Sequence, residues 1–131
     1  MPLRWTISHP ERLVIAVAEG LVGLKDIEAY LDDVVVSAAM PYRKLFDATA
    51  GSSALADDDM MALGARMRAY PRLDLRIGPL AVVAGSDTVY GLARLFGALA
   101  DVDRPFQIFR DARTAREWLD KVEAGTPPVQ N

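Results

Sequence analysis

The chain has no cysteine and a single histidine among its 131 residues. Without cysteine there is no disulfide, no thiolate nucleophile and no thiolate metal site. His9 stands before Pro10 in a turn-forming stretch, away from the strand ends where α/β sites gather, so a Ser-His-Asp triad is not expected and His9 reads as a turn residue. Aromatic residues are few, at 8%. The central arginines Arg66, Arg68, Arg72 and Arg76 therefore lack the aromatic interleaving of a nucleic-acid groove, and a solvated face is expected of them. Positive charge is not in surplus, since the net charge is −3, which argues against general affinity for nucleic acid or anionic membrane. No apolar run approaches the length of a membrane span, and no basic segment leads into an apolar stretch in MPLRWTISHPER. A cytoplasmic location is expected. Neither Gly-x-Gly-x-x-Gly after a strand nor Gly-x-x-x-x-Gly-Lys occurs, so classical nucleotide binding is not expected and no cofactor is implied.

What is present suits one soluble globular domain: 51% hydrophobic and 25% charged residues on a chain long enough for a single core. Residues 1–124 are expected to form it. Residues 125–131, with Gly125, Pro127 and Pro128, are expected to be a flexible tail.

LRWTIS alternates from Leu3, a break at His9-Pro10-Glu11 follows, and RLVIAVA is extended, which together predict an opening β-hairpin. Ile27, Leu31, Val34, Val35 and Ala38 recur at helical spacing, predicting a helix to about Ala39 that Pro41 stops. RKLFDA reads as a short strand ending at Asp47, followed by a long loop from Ala48 to Ala56. Asp57, Asp58 and Asp59 begin the next helix. Consecutive helical side chains diverge by about 100°, so these three acids complement the helix dipole and are not expected to hold a metal. Pro71 ends that helix, PLAVVAG is a buried strand, and Ser86 caps a third helix. FQIF is the last strand, and Asp111 caps a helix carrying Ala115, Trp118, Leu119 and Val122. The order ββαβαβαβα predicts an α/β fold with a mostly parallel five-stranded sheet and an antiparallel strand at its edge.

Ligands in open α/β sheets favour the crevice beyond the C-terminal strand ends. Two groups of candidates fall there. Asp47, Thr49, Ser52 and Ser53 form a partner or phosphorylation loop, and Ser86, Asp87, Tyr90 and Gly91 form a ligand or partner edge. The third helix has Arg94 as its only charge between Thr88 and Ala100 and is apolar almost all round. Either a neighbouring segment buries it, or a homodimer interface centres on Leu92, Leu95 and Leu99.

The opening hairpin, YRKLFDAT, PLAVVAGSDTVYGLARLF and FQIFRDARTAREWL together resemble the SpoIIAA-like family, the fold shared by STAS domains and related to lipid-binding CRAL-TRIO domains, over roughly residues 3 to 122. None of these stretches is a catalytic signature. The resemblance implies a non-enzymatic regulatory or protein-interaction domain with a protein partner, and in the anti-sigma-factor antagonists a phosphorylated serine after the third strand. Those regulators carry Asp-Ser-Ser/Thr-Gly at a helix start, whereas here Asp47 and Ser52 are separated by Ala48-Thr49-Ala50-Gly51. The relationship to CRAL-TRIO domains implies an alternative, a binder of a small apolar or anionic ligand in a pocket beside the third helix.

Overall fold

A computed structural model describes residues 2–122, and the expected tail at 125–131 lies outside them. Nine elements follow in the expected order: β1 (Leu3–Ser8), β2 (Leu13–Val22), α1 (Leu24–Val36), β3 (Arg43–Ser53), α2 (Asp57–Arg72), β4 (Leu80–Ala84), α3 (Asp87–Ala100), β5 (Phe106–Phe109) and α4 (Ala112–Lys121). The strands lie in sequential order β1-β2-β3-β4-β5, with β1 antiparallel to β2 and every later pair parallel. Sequential parallel strands joined by helices are the arrangement that right-handed crossovers produce.

Alternation along the strands decides which helix covers which face. Leu13, Leu45, Ala81 and Val83 face α4, where Ala115 and Leu119 are fully buried. Val14, Ala16, Ala18 and Ala48 face α1 and α2, packing with Tyr30, Leu31, Val34, Leu63 and Met67. Leu80 and Val82 meet Ala93 of α3 on that same side. Three helices therefore share one face and α4 alone covers part of the other. Among the described residues no helix is long and apolar enough to cross a membrane.

Helix ends follow their caps. The Ser86 hydroxyl accepts from the Val89 amide and the Asp111 carboxylate from the Thr114 amide, as expected of both. Asp59 reaches back to the Ala56 amide at 2.9 Å, so one acid of the Asp57–Asp59 run has a specific capping role beyond its charge. α1 stops at Val36, short of the expected Ala39. Ala38 takes a left-handed φ of 58°, and the Ala38 and Ala39 amides bond back to the carbonyls of Val35 and Val34. That Schellman closure ends the helix before Pro41 is reached. Pro71 lies within the last turn of α2 and not beyond it.

The largest departure is β3. It continues past Asp47 to Ser53, so the expected loop from Ala48 to Ala56 shrinks to three residues. β2 runs on through Glu19, Gly20, Leu21 and Val22 and supplies partners for Ala50, Gly51, Ser52 and Ser53. The register shifts between Val17 and Glu19, placing Ala48 and Thr49 opposite Ala18 alone in a β-bulge. Asp47 holds the bulge: its Oδ1 accepts from the Thr49 amide at 3.0 Å and the Thr49 hydroxyl at 2.6 Å. Gly85 passes the bulge so closely that an added Cβ would sit 2.0 Å from the Thr49 carbonyl oxygen. Gly85→Ala is expected to destabilise the protein by about 1–3 kcal/mol in urea unfolding; an unchanged midpoint would mean that β4 does not leave the sheet against this bulge.

Candidate functional site

α3 buries only Ala93 and Ala100 fully, although its composition is the most apolar of the helices. The reason lies beneath it. Ala18, Ala48 and Gly51 are too small to fill the space under α2 and α3, and a cavity of about 160 Å³ remains between the helices and the sheet. Phe46 and Val82 line its sheet side, Leu63 and Met67 come from α2, and Val89, Leu92 and Phe96 from α3. Ser52, which is exposed, and the half-buried Ser53, Leu55 and Val89 line the end near the C-terminal edge of the strands, and so define the mouth.

The opposite end is charged. Lys44, the second residue of β3, is only 3% exposed, because alternation puts it on the same face as Phe46 and Ala48. Its ammonium donates to the carbonyl oxygens of Met40 and Tyr42, the latter at 2.8 Å. Arg104, on the segment before β5, donates to the Gly78 carbonyl at 3.3 Å. Tyr30 of α1 is 4% exposed and packs edge-on against Trp5 and Phe46. Its hydroxyl is shielded from solvent and has no hydrogen-bond partner among the described residues.

These groups feel one another. Burial pushes the Lys44 ammonium well below its ordinary value, and the Arg104 charge pushes it further down. Burial lowers Arg104 to about 10, opposed by Tyr30. Burial raises the Tyr30 phenol, opposed by Arg104. Among the described residues no carboxylate forms an ion pair with Lys44 or Arg104; every ion pair found joins other residues. The buried Lys44 ammonium, the half-buried Arg104 and the unpartnered Tyr30 hydroxyl thus share one end of an apolar cavity.

The candidates named from the sequence are divided by this geometry. Ser52 and Ser53 stand at the cavity mouth, with the Ser53 hydroxyl accepting from the Leu55 amide at 3.0 Å. Asp47 and Thr49 are occupied with the bulge. Ser86 is a cap, while Asp87 pairs with Arg110 at 2.9 Å and the Arg110 guanidinium lies 4.4 Å from the Tyr90 ring centroid. Gly91 faces open space. Of the three leucines, Leu92 lines the cavity, Leu99 packs on α2 at Gly64, and Leu95 is exposed by 39%. They do not form one patch. His9 lies at the β1–β2 turn and its Nδ1 is 2.7 Å from the Tyr42 hydroxyl. Three of the four clustered arginines, Arg68, Arg72 and Arg76, are exposed, as expected of a solvated face, and two of the four also tether α2 to its neighbours: Arg66 pairs with Asp32 of α1 at 2.6 Å and Arg68 donates to the Leu99 carbonyl of α3.

No family model matches the chain, and no curated protein does. Solved structures do. An uncharacterized protein of the DUF3478 family with a SpoIIAA-like fold, from Shewanella loihica PV-4, is 18% identical with a TM-score of 0.59, over 89% of this chain and 93% of that one. The anti-sigma factor antagonist SpoIIAA in its unphosphorylated form is 12% identical with a TM-score of 0.56, over 92% of this chain and 99% of that one. These likenesses, with the sequential mixed sheet and four helices, show a SpoIIAA-like fold.

Lys44 gives the site a pH signature. Its folded value lies below the ordinary 10.5, so between the two the unfolded chain holds a proton that the folded chain has released. Stability from this group is fully present above 10.5 and is lost as pH falls through the folded value. Tyr30 acts in the opposite sense only above its ordinary 10.0. Urea unfolding is therefore expected to show stability rising from neutral pH toward roughly pH 9.5, and Lys44→Met should flatten the rise. A variant with the wild-type slope would remove Lys44 as its source.

Proposed function

We propose that this chain is a non-enzymatic SpoIIAA-like binding domain that takes a small, mostly apolar ligand into the cavity under α3. The observation that carries this reading is the unfilled space itself. Native cores are packed to crystal density, and few voids exceed a water molecule. An apolar space of about 160 Å³ compares with engineered cavities of roughly 150 Å³ that bind benzene. The cavity has a mouth at the strand C-terminal ends, where α/β domains place ligands.

Thermal unfolding with 1-octanol and octanoate as probes tests this. At ten times Kd a ligand specific for the folded state stabilises by about 1.4 kcal/mol, a rise of roughly 4–6 °C in Tm for a domain of this size. Ala93→Phe fills the space from α3 and Ala48→Leu fills it from the sheet; each is expected to abolish the rise while far-UV circular dichroism stays that of the wild type. A wild-type Tm indifferent to both probes, or an undiminished rise in both folded variants, would contradict the reading.

A second reading, association through the outer face of α3, is favoured by Leu95, which is 39% exposed beside the open Gly91. The partner would be a second copy or another cytoplasmic protein, and Ser52, exposed at the cavity mouth, is the serine through which phosphorylation would act on it. Light scattering on wild type and Leu95→Arg tests this reading: a dimer that the folded variant converts to monomer supports it, and a monomeric wild type removes the homodimer.

A further inference from the structure

We propose that the inner end of the cavity seats an organic monoanion, a carboxylate on an apolar body of about six to eight carbons, entering head first to lie between Arg104, Lys44 and the Tyr30 hydroxyl. This rests on the cavity being a ligand site and adds what the ligand must be.

The donors point to an anion. Arg104 and Lys44 offer only N–H donors, and among the described residues no Asp or Glu forms an ion pair with either. The Tyr30 hydroxyl, buried in the same wall, has no partner among the described residues. A buried polar group without a partner is rare in native structures and requires an explanation; the Tyr30 hydroxyl is such a group, and beside it stand two cations whose hydrogen bonds among the described residues go to the neutral carbonyls of Met40, Tyr42 and Gly78, so one anionic acceptor would serve all three. The free surface of the cavity is apolar, with the polar heads set at its end. The Lys44 and Arg104 heads turn to backbone carbonyls at this end, and a change of rotamer in either long chain would bring the head to a ligand in the space.

Charge and shape narrow the class. Arginine keeps its proton at any ordinary pH, so one fixed positive charge faces the ligand, and one negative charge balances it. A carboxylate is planar, matches the guanidinium fork, and leaves lone pairs for the phenol and for the one Lys44 N–H not already bonded to Met40 or Tyr42. A phosphate dianion is bulkier and needs a second fixed cation that the site does not hold. The apolar body then lies along Phe46, Ala48, Leu92 and Phe96 toward the mouth at Ser52.

Calorimetric titration of the full chain with octanoate and with 1-octanol, which share a body and differ in the head, tests the inference. At neutral pH octanoate is expected to bind at least 30-fold more tightly. Tyr30→Phe should lower octanoate affinity about 10-fold and leave 1-octanol unchanged, while raising the Tm of the free protein, because it removes an orphaned hydroxyl. A residue with only a structural role would not move those readouts in opposite directions. Arg104→Leu should abolish the preference for the acid. Equal affinity for the two probes, both excluded by Ala93→Phe, would overturn the anion and keep the cavity as a ligand site. No binding of either probe would overturn both.

Discussion

Three positions on one face of the sheet, Ala18, Ala48 and Gly51, carry at most a methyl group beneath the helices, and the architecture on that side follows from this. α3 rests on β4 through Ala93, while Phe96 packs against Phe106 and Leu99 against Gly64 of α2. Arg68 ties α2 to the end of α3 through the Leu99 carbonyl, and Arg66 ties α2 to α1 through Asp32. The helices are thus braced against one another and against the sheet edge, leaving a span they bridge without filling. On the opposite face nothing similar occurs: Leu13, Leu45 and Val83 reach α4, and Leu119 is completely buried.

The electrostatics of the two ends complement this division. The chain is acidic overall, yet its most buried charged side chain is a lysine, and Arg104 stands close enough to depress it further. A buried cation without a counter-charge opposes folding, and the placement of Lys44 on this face is what marks it as a candidate binding group. In an apolar cavity, where the effective dielectric is low, the same charges attract an incoming anion more strongly than a surface pair would. The bulge held by Asp47 and Thr49 connects the two ends, since it carries β3 on to the mouth and sets Gly51 and Ser53 on the cavity side.

Much of the fold was legible in the sequence. Alternation in LRWTIS, the wholly apolar LAVVA and the caps Ser86 and Asp111 each report a local rule that the tertiary structure obeys. The second half of β3 is not legible because Ala48 to Ser53 has the composition of a loop, and its extended form depends on pairing of Ala50 to Ser53 with Glu19 to Val22, a partner supplied from elsewhere in the chain. The third helix was rightly marked as unusual, but its apolar surface divides between cavity, neighbouring helix and solvent, a division that spacing alone does not reveal. Lys44 has a signal in the sequence: alternation from Phe46 places it on an apolar face. Tyr30 and Arg104 had no such signal, because only the packed fold brings α1 and the segment before β5 to the same wall.

The central claim is that the small residues under α3 leave room for a ligand whose anionic head completes the Lys44, Arg104 and Tyr30 cluster. The most direct measurement is a crystal structure of the protein grown with octanoate. The account predicts density for the acyl chain along Phe46 and Leu92, with a carboxylate oxygen within hydrogen-bond distance of the Tyr30 hydroxyl and the Arg104 guanidinium. A space collapsed by a shift of α3, or an acyl chain whose carboxylate faces outward at Ser52, would contradict it.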